Sequence, residues 1–183
     1  MTKIAEFRLT KYNSLLINLA ALTSMTLVLV LLLVLEGKSA TLAYIEKFYY
    51  SDQILPLVIT LLVVVIMHEA IHGMIYLIFG AKLKFGISQL NIYTMDVSGN
   101  LYTISQMAII MLLPFFALTG LLIATGILFS DLAFCMIIGI ICNVSGSTGD
   151  ILLLAYIFHK KKLCKGKIFR IKDEKHGFGL YVQ

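Results

Sequence analysis

Four apolar runs constrain this chain more than any other feature. Residues 12–35, 54–79, 107–129 and 132–158 are each long enough to cross about 30 Å of hydrocarbon at roughly 1.5 Å per helical residue. In lipid a backbone must satisfy its own hydrogen bonds, so isolated runs of this length are read as helices. The pattern predicts an all-α integral membrane protein with four transmembrane helices, the last two joined only by Ser130 and Asp131. With 183 residues, 60% of them hydrophobic and 14% charged, the chain reads as a single membrane domain, 1–183, with no room for a separate soluble catalytic domain. Any chemistry then belongs within the bundle or at its rim.

Lys3, Arg8 and Lys11 precede the first run as they would in a signal peptide. That run is too long for a signal core and no small-residue cleavage site follows, so it is read as a retained helix. Thirteen of the fifteen Lys and Arg residues lie in the amino-terminal arm, the 80–105 interval and the basic tail, 159–183, against Lys38 and Lys47 between the first two runs. This bias places both termini and the 80–105 interval in the cytoplasm, with the spans in the cell membrane. The tail suits an anionic lipid surface, and nothing beyond charge points to nucleic acid. Cys135, Cys142 and Cys164 are odd in number, two of them within one span, which argues against a disulfide framework.

The 80–105 interval breaks the helical pattern. KLKFGI and LNIYTM, followed by a turn-like DVSGN and then LYTI, read as short strands, a β-hairpin-like element between helices 2 and 3. It serves either as a connector on the membrane or as an edge that holds a peptide extended.

The second run carries HEAIHG: His68, Glu69 and His72 inside an otherwise uncharged span. Charged groups near a bilayer centre cost roughly 2.5–3.5 kcal/mol even on the gentlest scale, so polar clusters there are usually functional. Histidines four apart share one helix face and can grip a single ion, with Glu69 beside it as a base. This is the H-E-x-x-H pattern of zinc hydrolases.

Catalytic zinc generally takes three protein ligands. Counting from Gly80 and from His159 as the inner ends of spans two and four, His68 lies about 18 Å deep, His72 about 12 Å and Asp150 about 14 Å. Asp150 is therefore the expected third ligand. Cys142 lies near the opposite face, Asp96 is in the connecting segment, Glu46 and Asp52 are in the outer loop, and His159 and His176 are at or beyond the inner surface. NVSGSTGD, residues 143–150, is rich in small polar side chains. Close helix packing through Ser145, Gly146 and Gly149 is one reading; local unwinding that brings Asn143 or Ser147 to a substrate or oxyanion is another.

HEAIHG, MLLPFF around Pro114 and the late Gly149-Asp150 together resemble a family of small bacterial membrane proteins described as zincin peptidases. More distantly they resemble the site-2 proteases, which cleave membrane-embedded substrates with H-E-x-x-H and a later aspartate. The resemblance covers roughly Val63 to Asp150. It departs from the site-2 pattern in that Gly149 precedes Asp150, Ile151 follows it, and no proline lies near Asn143. The expectation is a zinc-dependent intramembrane endopeptidase acting on a membrane protein or peptide, with His68, His72 and Asp150 as ligands and Glu69 as base. The alternative is a non-hydrolytic transporter or sensor that uses the same cluster. The oligomeric state is left open.

Overall fold

The computed structural model describes all residues except 9, 51–52, 89–90, 165–166 and 175–176. Asp52, Lys165, Lys175 and His176 thus lie outside the described residues. In chain order come β1 (Thr2–Arg8), α1 (Lys11–Tyr50), α2 (Ile54–Ile78), β2 (Leu83–Ser88), β3 (Asn91–Asp96), α3 (Ile104–Leu128), a 3-10 turn (Ser130–Leu132), α4 (Ala133–Leu163), β4 (Phe169–Glu174) and β5 (Gly177–Val182). The chain divides into two compact units. One comprises Leu19–His68 and Phe115–Thr148; the other comprises Met1–Asn18, Glu69–Pro114 and Gly149–Gln183.

Among the described residues, four helices are long and apolar enough to cross a membrane: Lys11–Leu35, Ile54–Ile78, Ile104–Leu128 and Ser130–Leu163. Large apolar side chains such as Val34, Leu35, Ile54, Ile66, Ile78 and Ile127 face outward. Water would penalise such a surface and hydrocarbon would not. Helix α1 continues past its apolar part to Tyr50, broken at Gly37 where the backbone leaves helical geometry (φ 78°, ψ 160°).

In the helical unit, Val64, Leu122, Cys135 and Met136 pack as one apolar cluster. Gly139 permits the close approach, since a β-carbon there would lie 2.9 Å from Thr60 Cγ2 and 3.2 Å from Leu122 Cδ2. Polar stitches hold α1 against α4: Ser24 and Thr148 hydroxyls lie 2.9 Å apart, and Ser145 Oγ donates to the Ala21 carbonyl at 3.2 Å. Helix α4 runs unbroken through NVSGSTGD, so the unwinding that this composition leaves open does not occur. Ser147 and Thr148 back-bond to carbonyls four residues earlier, those of Asn143 and Val144.

The other unit contains the strands. β2 and β3 form the hairpin, with Leu83 opposite Asp96 and Ser88 opposite Asn91. Gly80 (φ 80°) ends α2: Ala81 N–H donates to the Tyr76 carbonyl and Gly80 N–H to Leu77, a left-handed cap that glycine adopts without a steric penalty. LYTI does not become a strand. Tyr102 makes a single antiparallel bridge to Ile171, and Thr103 caps α3. Its hydroxyl accepts from Gln106 N–H while the Gln106 side chain accepts from Thr103 N–H, a capping box worth about 1 kcal/mol.

The all-α expectation requires correction here. The ends of the chain form a three-stranded antiparallel sheet, order β1-β5-β4, that the basic tail concealed. Within that tail FRIKDE alternates, burying Phe169, Ile171 and Asp173 on one face. Opposite it, Leu180 and Val182 of β5 are also buried.

Asp96 ties this unit together. Its carboxylate accepts from Lys82 N–H, Ser98 N–H and Oγ, and Tyr102 Oη, while its own N–H donates to Asp173 Oδ2 at 2.8 Å. Burial pushes the Asp96 carboxyl up, but donors from Ser98, Tyr102 and Lys82 outweigh it and leave the group below its ordinary value. Asp173 is also buried, and there burial wins. Despite hydrogen bonds from Asp96 N–H and Tyr76, its pKa is pushed up to about 7.

Candidate metal centre

Helix periodicity sets His68 and His72 one turn apart on α2. Both are buried, while Ile66, Met67 and Met74 on the same helix are exposed. The ligand atoms of His68, Glu69 and His72 all lie within 4.8 Å of one another.

Each imidazole is held through its Nδ1. His68 Nδ1 lies 3.0 Å from Asn143 Oδ1. The Asn143 amide nitrogen donates to the Phe115 carbonyl and to Thr119 Oγ1, each at 3.0 Å. A carbonyl only accepts, so the amide orientation is fixed, Oδ1 must accept from the ring, and His68 carries its proton on Nδ1. His72 Nδ1 lies 2.8 Å from the Ile110 carbonyl, and the same reasoning makes it a donor. In the neutral form of each ring Nε2 then carries the lone pair. Metal-binding histidines almost always show this arrangement, in which the second nitrogen's hydrogen bond sets tautomer and ring plane.

Asp150, on α4, lies beside His72. Its Oδ2 lies 3.3 Å from His72 Nε2. With Nδ1–H committed to Ile110, a neutral His72 turns a lone pair toward a carboxylate, and the contact is stable only with a proton or a metal cation between them. The spacing suits zinc: two ligands about 2.0–2.1 Å from a tetrahedral ion are roughly 3.3 Å apart. Neutral imidazole and carboxylate are also donors that zinc takes. The residues present therefore fit the ion.

Glu69 is half-buried and meets the hairpin. Thr94 Oγ1 on β3 lies 2.8 Å from Glu69 Oε2 and 3.2 Å from the Glu69 carbonyl. Of the residues in NVSGSTGD, Asn143 is 1% exposed and points at His68, and Ser147 is fully buried with its hydroxyl on its own helix.

Sequence reasoning misses Thr94 and the Ile110 carbonyl. Nothing in a strand pattern marks which threonine reaches a helix. A backbone oxygen has no letter, although Pro114, four residues later, is an indirect sign of it.

A buried H-E-x-x-H with its imidazoles held through Nδ1 and a carboxylate beside His72 is a donor set that a zincin metal site would use. Residues 61–165, more than half the chain, match the family described as putative zincin peptidases, and the chain belongs to that family. The match contains His68, Glu69, His72, Asn143 and Asp150. No curated protein and no solved structure matches the chain. Membership implies zinc and metallopeptidase activity.

Proposed function

We propose that the protein is a zinc-dependent intramembrane endopeptidase of the site-2 kind, in a bacterial cytoplasmic membrane with both termini in the cytoplasm. The observation that carries this reading is His72 Nε2 facing Asp150 Oδ2 at 3.3 Å, on helices apolar enough to cross a membrane. His68, His72 and Asp150 would hold the ion. When bound, zinc polarises a carbonyl and lowers the pKa of water to about 7.

The chain's own residues do the rest. Glu69 accepts a proton from the attacking water as its oxygen bonds to the scissile carbonyl carbon. It then returns that proton to the leaving nitrogen as the C–N bond breaks. Asn143 and the Ile110 carbonyl keep both imidazoles oriented while charge shifts. Thr94 holds the Glu69 carboxylate. The β2–β3 hairpin, adjoining Glu69 through Thr94, supplies an edge along which a substrate strand can lie extended.

The test uses purified wild-type protein and Glu69→Gln, assayed for bound zinc and for cleavage of a mixture of synthetic transmembrane peptides. Both should hold zinc and only the wild type should cut. Cleavage by the purified variant at the wild-type rate would remove Glu69 from the mechanism.

A further inference from the structure

Helix α3 contains one proline, Pro114, fully buried in the middle of an otherwise continuous helix. A proline there lacks the N–H that would bond the carbonyl four residues earlier, and its ring presses that carbonyl outward. Four residues before Pro114 is Ile110. The Ile110 carbonyl accepts His72 Nδ1 at 2.8 Å, and Ile110 is 1% exposed. A buried carbonyl and a buried imidazole N–H are each costly to leave unpaired, and here each satisfies the other.

We infer that Pro114 is a positioning residue for the metal site. By vacating the Ile110 carbonyl, it directs the proton of His72 to Nδ1 and presents Nε2 to the ion. This rests on reading His72 as a zinc ligand. It explains why a residue that weakens helices sits within a span, on a different helix from the ligand it serves. The other imidazole is oriented by a side chain, Asn143. For His72 the acceptor is backbone, and Pro114 is the side chain through which it is encoded.

Pro114→Ala restores an N–H that competes for Ile110, and it should improve α3 as a helix. The experiment uses the full-length protein purified in detergent as wild type, Pro114→Ala and His72→Ala. Zinc affinity is measured by chelator competition, thermal midpoint is measured without metal, and ¹⁵N shifts of the histidine rings, of which the chain has four, are measured with zinc bound.

The expected result is a wild-type His72 protonated at Nδ1 with Nε2 on the metal. Pro114→Ala should bind zinc about tenfold more weakly, with its Nδ1 proton exchanging faster and its thermal midpoint equal or higher. A purely structural proline would not give weaker metal binding together with unchanged or greater stability. Wild-type zinc affinity in Pro114→Ala, with affinity lost in His72→Ala, overturns the role of Pro114 and leaves the metal site standing. Unchanged affinity in His72→Ala overturns both. If Pro114→Ala does not fold, the wild-type spectrum decides: zinc on His72 Nδ1 sinks the inference, and zinc on Nε2 with a slowly exchanging Nδ1 proton supports it.

Discussion

Asn143 Oδ1 lies 3.0 Å from His68 Nδ1, with both residues buried. Substitutions at 143 therefore separate metal orientation from substrate contact. Asn143→Asp keeps an acceptor for the ring proton but sets its second oxygen against the Phe115 carbonyl, so it should bind zinc more weakly than the wild type and more tightly than Asn143→Ala. Asn143→Ala should bind about 10–100-fold more weakly. Chelator competition reads both. If neither change moves zinc affinity while both abolish cleavage, Asn143 serves the substrate or oxyanion instead.

Asp150 reaches His72 from a different helix, and removing it takes away the carboxylate that faces His72 Nε2. Asp150→Ala should lose more zinc affinity than the 10–100-fold typical of a residue one step removed from the metal. Metal content after dialysis is the measurement. Stoichiometric zinc in that variant would exclude Asp150 as a ligand.

Thr94 holds one oxygen of Glu69 from the hairpin. Thr94→Val keeps the shape and deletes the hydroxyl, which frees the carboxylate to rotate. A general base contributes roughly 10²–10⁴ in rate, and loss of its orientation should cost about tenfold of that in kcat with zinc content unchanged. An unaltered kcat would show that the hydroxyl has no part in positioning the base.

Asp173 should make stability fall as pH rises. Burial holds its folded pKa up at about 7, above the roughly 3.9 of an exposed aspartate, so between those values the folded chain binds more protons than the unfolded one. The contribution is complete below about pH 4 and lost as pH passes through 7, on the order of a few kcal/mol at about 1.4 kcal/mol per unit. Hydrogen exchange in β4 and β5 at pH 5 and pH 8 should show weaker protection at the higher value. Asp173→Asn should flatten the difference, and an equal slope in the variant would place the titration elsewhere.

The helices were legible because hydrophobic length is a coarse signal that tertiary context rarely overrides. The four apolar runs give four helices long and apolar enough to cross a membrane, the last continuing to Leu163. Hydropathy is silent where charge begins. The helix beyond Gly37 is built on good helix formers such as Ala, Leu, Glu and Lys, yet apolar length alone leaves that stretch as an outer loop. β1 and β5 were hidden by distance, because Thr2 finds its partner Val182 across the whole chain. His68, Glu69 and His72 were visible because spacing on a single helix is local. The backbone acceptor at Ile110 depends on how two helices meet, which no local pattern records.

The sheet order β1-β5-β4 also constrains topology independently of charge. Strands that share hydrogen bonds share one aqueous compartment, so the segment before α1 and the segment after α4 lie on the same side of any membrane these helices cross. The Tyr102–Ile171 bridge brings the segment before α3 to that side as well. Any crossings are therefore even in number within each half of the chain, as two candidate helices before Tyr102 and two after would allow. A reporter fused at either end should be accessible from the same face.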